Sequence, residues 1–130
     1  MASWLYEIQC LFSMLRYRLL INKKDAELLA RMKLNEMELS IGCSLEIRED
    51  DTIEEDFGWI FFWNSTKFLR EGDMNHCIVG NGPMIVDKNA NKIEFAGTGW
   101  PLDYYIQVYK RFGTTNPSEM TRSEEIEILK

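Results

Sequence analysis

The sequence predicts an α+β protein, with N-terminal helices packed on a mostly antiparallel sheet of about four strands and a C-terminal helix. Apolar residues recur at helical spacing before Gly42, short strand-like runs bounded by turn residues occupy 43–95, and helical spacing returns after Pro101. Helices and strands are therefore grouped rather than alternating, which favours an antiparallel sheet over a parallel one. At 130 residues, the chain is expected to form a single domain over 1-130.

Two helices are predicted before Gly42. The first spans about 3–21, so that residues 1-21 are interpreted as a candidate N-terminal helical extension. The second starts with Asp25 as its cap and ends at Gly42, because glycine readily takes the left-handed conformation that closes a helix. One long helix through 22–24 is the alternative. The apolar stripe of the first helix is Trp4, Ile8, Leu11, Phe12, Leu15 and Leu19, and that of the second is Ala26, Leu29, Ala30, Leu34, Met37 and Ile41.

Strand signals follow the helices. Residues 43–49 alternate between apolar and polar side chains, as in a half-buried strand, and the acidic stretch over 50–56 is predicted as a solvated loop. The run 57–63 is the strongest strand signal, because five of its seven residues are aromatic and another is isoleucine. Both of its faces are apolar, so it is either a central strand covered on both sides or a strand with one face kept for a partner. The runs 84–86 and 93–95 flank turn-forming residues and are predicted to form a hairpin.

Two further helical segments are predicted. Ser65 caps a short helical turn that ends at Gly72. Pro101 is suited to the first position of a helix, because its missing N–H is not needed there. The apolar stripe of that helix is Leu102, Tyr105, Ile106 and Tyr109. Residues 114-130 are predicted as a polar tail or a frayed helix.

Charge and composition exclude several functions. The chain has 15 Lys and Arg against 21 Asp and Glu, for a formal net charge of −6. It lacks the basic footprint that nucleic acid or an anionic membrane requires, so neither partner is expected. No apolar run reaches the roughly eighteen residues of a transmembrane helix. The three cysteines, Cys10, Cys43 and Cys77, are widely spaced without a C-x-x-C pair, which favours reduced thiols and a cytoplasmic location.

Catalytic and metal sites are not predicted. His76 is the only histidine, and its neighbour Cys77 would point away from it in an extended segment. Cys43 and His76 could meet in space, but cysteine more often acts as a small buried apolar residue. An enzyme that uses Cys43 or Cys77 with His76 is therefore the least favoured function. The acidic stretch lacks the central glycine of a calcium-binding loop, so the expectation is a protein without catalytic residues, metal or cofactor.

The acidic stretch is instead the preferred candidate for a partner-binding surface. Seven carboxylates lie between residues 46 and 56 with only Arg48 against them, and such a face raises the on-rate and specificity for a basic partner. Trp63 and Trp100 are added because tryptophan is typical of binding hot spots. The predicted partner-binding residues are Glu49, Asp50, Asp51, Glu54, Glu55, Asp56, Trp63 and Trp100.

Four motifs in a fixed order carry a family resemblance. They are Phe57-Gly58-Trp59-Ile60-Phe61-Phe62-Trp63-Asn64-Ser65, Phe68-Leu69-x-Glu71-Gly72-Asp73, Val79-Gly80-Asn81-Gly82-Pro83-Met84-Ile85-Val86-Asp87-Lys88 and Gly97-Thr98-Gly99-x-Pro101-Leu102-x-x-Tyr105-Ile106. Over about residues 25–112, the chain resembles the YrhB-like immunity proteins of bacterial polymorphic toxin systems. The segments 1–21 and beyond 113 depart from the usual pattern. The matched positions that are interpreted as turn and core residues are Gly58, Trp59, Gly80, Asn81, Gly82, Pro83, Asp87, Gly97 and Pro101.

The resemblance implies a small cytoplasmic protein without catalytic activity, which binds a cognate toxin and neutralises it by stoichiometric protein–protein binding. Such an inhibitor needs only a complementary surface, and tight inhibitory complexes bury on the order of 1,600 Å² in total. The toxin is expected to be basic if the acidic stretch contacts it. The alternative function is a chaperone-like binding module that holds exposed apolar segments of client proteins through the aromatic run 57–63.

Overall fold

The computed structural model describes residues 20–89, 92–118 and 120–130, and within them it has an α+β fold, as predicted. Short 3-10 turns lie at Glu49–Asp51 and Met74–His76. None of the helices in these ranges is long and apolar enough to cross a membrane. The helices and strands are α1 (Lys23–Ile41), β1 (Leu45–Ile47), β2 (Ile53–Glu55), β3 (Gly58–Phe61), β4 (Trp63–Ser65), α2 (Thr66–Glu71), β5 (Met84–Asp87), β6 (Ile93–Phe95), α3 (Leu102–Phe112) and α4 (Arg122–Leu129).

Helix α1 begins earlier than predicted. Its cap is Asn22 rather than Asp25: the Asn22 side chain accepts a hydrogen bond from the Asp25 amide at 2.8 Å, and the Asp25 carboxylate accepts one from the Asn22 amide at 3.3 Å. Asn22 is extended, so one long helix through 22–24 is wrong. The predicted end at Gly42 is confirmed, with a left-handed φ of 84°. The predicted first helix, over 3–21, lies outside the described residues except for its last two, which are not helical.

The aromatic run 57–63 forms two strands instead of one. Strand β3 lies between β2 and β5 in a four-stranded antiparallel sheet of order β2-β3-β5-β6, and β4 pairs with β1 in a separate two-stranded sheet. The chain leaves the first sheet at Phe62, whose carbonyl accepts a hydrogen bond from the Arg48 amide at 2.8 Å. The run therefore crosses from one sheet to the other and connects them.

Strand β3 is covered on both faces, which decides between the two interpretations of its apolar pattern. Trp59 and Phe61 pack toward α1 in one buried cluster, and Ile60 packs toward α3 in the other. Phe61 and Ile60 are both fully buried, and burying a side chain of this size contributes about 1.5–3 kcal/mol. The four-stranded sheet thus lies between α1 and α3, with an apolar core on each side.

The acidic stretch is more ordered than the predicted loop. Strand β2 lies inside it and pairs antiparallel with β3, with Ile53 opposite Ile60 and Glu55 opposite Gly58. A three-residue strand with two glutamates carries little strand signal by itself. Its pairing follows from the strongly apolar neighbour, so the prediction of a loop over 50–56 is wrong for Ile53–Glu55.

The predicted hairpin and short helix are confirmed. Strands β5 and β6 pair with Met84 opposite Phe95 and Val86 opposite Ile93. Helix α2 is capped by the Ser65 hydroxyl, which accepts from the Phe68 amide at 3.1 Å, and it ends at Gly72.

The C-terminal helices cover the second core. Pro101 is the cap residue of α3 rather than the first helical residue that was predicted. The helix therefore begins one residue later, at Leu102. Helix α4 lies in the polar tail and begins at a capping box, in which the Thr121 hydroxyl accepts from the Glu124 amide at 3.3 Å. Met120 and Ile128 pack against the core on the α3 side.

Candidate partner-binding surface

The acidic stretch forms one edge of the four-stranded sheet. Among the described residues, strand β2 pairs with β3 on one side and with no strand on the other, so it is an edge strand of this sheet. Charged side chains on a short edge strand discourage pairing with other chains. Glu54 is exposed, whereas Ile53 and Glu55 are half-buried on the side of α3. The fold therefore presents this edge as a charged surface rather than an apolar one.

Neighbouring cations neutralise much of the acidic charge. Of the seven carboxylates between residues 46 and 56, four form ion pairs, three of them with cations from distant parts of the chain. The sequence alone could not show these partners, because Arg31, Arg70 and Lys110 lie on three different helices. The pairs are Glu46–Arg70, Glu49–Arg31, Asp51–Arg48 at 2.8 Å and Glu55–Lys110 at 3.1 Å.

Three carboxylates of the stretch remain without an ion pair among the described residues. They are Asp50, Glu54 and Asp56, all exposed, and we name them the acidic edge. An exposed carboxylate that forms no ion pair can attract a cation of an approaching partner without breaking a contact within the fold. The acidic edge is therefore the part of the stretch that could attract a basic protein most strongly.

Trp63 does not lie on an exposed surface, and the expectation of partial exposure is wrong. It is 6% exposed, and its indole N–H donates to the Gly82 carbonyl at 3.0 Å. Its ring packs edge-on against Phe95, with centroids 6.2 Å apart. The side chain is held in the core because β4 turns away from the four-stranded sheet and lies over the segment that contains Gly82.

Trp100 is exposed, as predicted, but it lies apart from the acidic edge. Its side chain is 45% exposed and contacts the Tyr104 ring at a centroid distance of 5.4 Å. Trp100 precedes the first turn of α3, whereas Glu55 pairs with Lys110 near the last turn. Ten helical residues correspond to about 15 Å along the axis. The structure does not bring these two predicted features into one compact patch.

The residues of the family motifs make contacts within the fold. Gly58 has a φ of 154°, and a Cβ there would lie 2.0 Å from the Val86 carbonyl oxygen. A Cβ at Gly82 would lie 1.6 Å from the Ala96 carbonyl oxygen, so the two segments can approach only because Gly82 lacks a side chain. Gly97 lies against the Tyr105 ring in the same way.

The polar residues of these motifs also bond internally. The Asn81 side chain donates to the Trp63 carbonyl at 2.7 Å, and the Pro83 carbonyl accepts from the Ala96 amide at 2.9 Å. The Asp87 carboxylate accepts from the Tyr109 hydroxyl at 2.7 Å in a buried site. Trp59 is 5% exposed, and Gly80 has a left-handed φ of 75°.

Cys43 and His76 line one cleft of about 360 Å³, between the end of α1 and the start of α2. The His76 Nδ1 lies 2.8 Å from the Asp73 carboxylate. The pKa of Asp73 lies below its usual value, mainly because the Asn75 amide donates a hydrogen bond to it and secondly because of the hydrogen bond with His76. No hydrogen bond joins the free thiol of Cys43 to His76 within the described ranges, so the two residues are neighbours without the contact that activates a nucleophile. Cys77 is also a free thiol, and Cys10 lies outside the described residues.

Among the residues that the structure describes, no group of three or more histidine, cysteine, aspartate or glutamate side chains is arranged to hold a metal ion. The four paired carboxylates of the acidic stretch each contact a different cation. The acidic stretch and its cationic neighbours therefore form a surface of fixed charges.

Comparison with known proteins places this fold in a family. The model of the family "Immunity protein 35" matches residues 23–105, from the first residue of α1 into α3. The chain is also 40% identical over 53 residues to "Uncharacterized protein YrhB" of Escherichia coli (strain K12), which is 41% of this chain and 56% of that protein. The chain thus spans about half the length of the curated relative that it matches, and no solved structure matches it. Because the family match covers more than half of the residues, the chain belongs to the immunity protein 35 family.

Proposed function

We propose that this protein neutralises a cognate bacterial toxin domain by stoichiometric binding. The observation that carries the proposal is the family match over residues 23–105, which includes all the strands of both sheets. Neutralisation by binding requires only a stable surface that is complementary to the toxin. The buried clusters on the two faces of the sheet would keep such a surface rigid. The proposed setting is a polymorphic toxin system in the cytoplasm of the producing bacterium, where the free thiols of Cys43 and Cys77 would stay reduced.

The acidic edge is the proposed contact for a basic toxin surface. Asp50, Glu54 and Asp56 are exposed and lack ion pairs within the described residues, so association does not require an internal pair to break. Interactions of this kind raise the association rate more than they slow dissociation. Trp100 is proposed as a second contact, because a half-exposed indole can be buried by a partner.

Co-expression with the product of the neighbouring gene tests the proposed function. We expect that the neighbouring gene is toxic alone, that this protein restores growth, and that the two proteins copurify as a one-to-one complex. If no neighbouring product is toxic, or if growth is rescued without any complex, the proposal is wrong.

Two substitutions distinguish neutralisation by catalysis from neutralisation by binding. Cys43→Ala and His76→Ala each remove one of the two reactive side chains that line the cleft between the end of α1 and the start of α2. Both variants are expected to restore growth as fully as the unmodified protein, because neither side chain belongs to the acidic edge. Loss of protection by both variants, with the complex still intact, would indicate an enzyme.

The chaperone-like alternative depended on an accessible aromatic strand. Trp59, Ile60 and Phe61 are at most 5% exposed and lie between α1 and α3. An unrelated client could reach them only if one of these helices detached. The structure therefore favours specific binding over a general hold on apolar segments.

A further inference from the structure

Helix α1 carries a stripe of mostly apolar side chains on the face that points away from the sheet. Its inward side is packed in the core, where Ala30 is fully buried. At 3.6 residues per turn, positions 28, 32, 35 and 39 fall on the opposite side of the helix. Leu28 and Met32 are each 59% exposed, Leu39 is 91% exposed, and Asn35 is exposed as well. We name these four residues the outer stripe.

The chain that enters α1 is held on the other side of the helix. The Ile21 amide donates a hydrogen bond to the Lys88 carbonyl at 3.4 Å, and the Ile21 side chain packs against the core that lies between α1 and the sheet. The described part of the chain therefore leaves the outer stripe open. An aligned apolar stripe on an exposed helix face is typical of a surface that binds a partner.

The outer stripe has the spacing of a seam between two helices. Its successive positions are four, three and four residues apart, and alternating steps of three and four keep a seam facing a partner helix. This order of steps is the same in both directions. A second copy that packs antiparallel therefore matches every position, with Leu28 opposite Leu39 of the other copy and Met32 opposite Asn35.

The charges of α1 favour this antiparallel arrangement. Residues 23–33 contain four cations and two carboxylates, whereas residues 34–41 contain two carboxylates and no cation. The helix as a whole is neutral, although the chain has a net charge of −6. In an antiparallel pair the positive half of each helix lies against the negative half of the other, whereas a parallel pair would place like charges together.

The dipole of the helix leads to the same arrangement. A single helix is stabilised by carboxylates near its N-terminus and by cations near its C-terminus. Helix α1 has Lys23 and Lys24 in its first turn and no basic residue in its last turn. An antiparallel second copy would place these lysines beside a helix C-terminus, where positive charge is favourable.

Two further charged residues flank the seam. Arg31 and Glu38 lie on the same side of the outer stripe, seven residues apart, so an antiparallel pair brings Arg31 of each copy near Glu38 of the other. The Arg31 side chain is 53% exposed, and its guanidinium has donors beyond the one that bonds Glu49. The Glu38 carboxylate is held in place by the Leu45 amide at 2.8 Å.

We propose that two copies of this protein associate through the outer stripes of α1, packed antiparallel about a two-fold axis between residues 33 and 34. The seam from 28 to 39 is about 16 Å long. A seam of this length forms a small interface, below about 1,200 Å² in total, which is typical of transient complexes. The dimer is therefore weak and depends on concentration. No residue of the acidic edge belongs to α1, so the proposal does not depend on the toxin.

Sedimentation of the full chain tests the surface. The weight-average mass is expected to rise from that of the monomer toward twice that value as the protein concentration is raised. Met32→Lys should keep the monomer mass over the same range, because it places a charge in the seam. Met74→Lys is the matched control, since Met74 is 72% exposed and lies outside α1, and it should dimerise like the unmodified protein. A monomer at every concentration, or a dimer that Met32→Lys does not weaken, would overturn the proposal.

Cross-linking tests the antiparallel register. In a background with Cys10, Cys43 and Cys77 replaced by serine, copies with Leu28→Cys are mixed with isotope-labelled copies with Leu39→Cys and treated with a short bismaleimide. The mixed dimer, in which the two thiols face each other, is expected to form about fivefold or more faster than either dimer of identical copies, in which the thiols lie about 16 Å apart along the seam. Faster linking of identical copies would show a parallel pair, and equal rates would show random collision. Either result would overturn the proposal, and since neither experiment contains a toxin, their failure is distinct from failure of the proposed function.

Discussion

A buried hydrogen bond between Tyr109 and Asp87 links α3 to the sheet. The Tyr109 hydroxyl donates to the Asp87 carboxylate at 2.7 Å, and the Asn89 amide donates to the same side chain. Burial, and then the hydrogen bond and charge of Asp87, raise the pKa of Tyr109, so its hydroxyl remains a donor over the physiological range. This contact positions the helix that carries Lys110, the partner of Glu55.

Removal of this donor should destabilise the fold. Tyr109→Phe keeps the ring but leaves the buried carboxylate short of one hydrogen bond, and we expect the free energy of unfolding to fall by about 1–3 kcal/mol in urea titrations. Tyr104→Phe is the control, because the Tyr104 hydroxyl makes no hydrogen bond within the described ranges. Equal losses in the two variants would contradict the assignment.

Glu94 should make stability depend on pH. Burial alone would raise its pKa, but hydrogen bonds from the Thr114 hydroxyl at 2.7 Å and the Thr115 amide at 3.2 Å, together with Lys92, outweigh burial and lower the pKa below 4.5. A carboxyl group whose pKa is lower in the folded state stabilises that state at pH values above its ordinary pKa. This contribution is lost as the pH falls through the lowered value.

The expected result is a pH-dependent difference between the unmodified protein and Glu94→Gln. The difference in unfolding free energy should be largest above pH 4.5 and shrink as the pH is lowered further, when both are measured in urea at a series of pH values. Thr114→Val removes one of the hydrogen bonds to Glu94. In that background, Glu94→Gln should therefore change the unfolding free energy by less. A difference that stays constant across the series would exclude this role for Glu94.

At the scale of elements, the segment at Gly82 closely approaches the end of β6. A Cβ at Gly82 would lie 1.6 Å from the Ala96 carbonyl oxygen, whereas at Gly72 nothing lies within 4 Å and only the left-handed φ of 68° opposes a side chain. Gly82→Ala is therefore expected to cost about 3 kcal/mol or more, if the protein folds at all. Gly72→Ala should cost about 1 kcal/mol.

Thermal unfolding of the two alanine variants checks this expectation. A midpoint for Gly82→Ala that is well below that of Gly72→Ala, or the absence of a cooperative transition, supports the close approach. Similar midpoints would show that the two segments can separate at little cost. Both substitutions add the same methyl group, so the comparison sets the clash at Gly82 against the left-handed backbone at Gly72.

The elements that could be predicted from the sequence are those with local signals. Gly42 and Gly72 end helices, Ser65 caps α2, and the hairpin of β5 and β6 is set by turn residues between apolar runs. These features involve residues within a few positions of one another, where capping and turn preferences act directly.

The elements that could not be predicted depend on distant residues. Strand β2 forms because β3 offers it a partner, and Trp63 is buried because Phe62 ends β3 and redirects the chain into a second sheet. The cap of α1 was misplaced by three residues because Asn22 and Asp25 are both good caps. The cations that neutralise Glu46 and Glu55 come from α2 and α3, and no local pattern reveals such pairs.

For the molecule as a whole, the acidic stretch carries less unpaired negative charge in the folded protein than its sequence suggests. Four of the seven carboxylates in the stretch have cationic partners, so the acidic edge retains three. The proposed electrostatic contact should therefore be moderate. Binding to a basic toxin should weaken as salt rises, chiefly through slower association.

A charge reversal in the acidic edge should reproduce the effect of salt. Glu54→Lys is expected to slow association with the toxin several-fold while it changes dissociation little, as measured by surface plasmon resonance. Glu71→Lys makes the same reversal at an exposed residue of α2, outside the acidic edge, and should leave the association rate unchanged. Equal slowing by the two variants would indicate a general effect of net charge rather than a contact at the edge.

Neutralisation by stoichiometric binding can be tested by a titration of toxin activity. Purified toxin domain is held at a concentration well above the dissociation constant, and this protein is added in steps. We expect toxin activity to fall linearly to zero at one equivalent, to stay unchanged with incubation time, and to return when the complex is separated. Complete and progressive inactivation by a small fraction of an equivalent would contradict it.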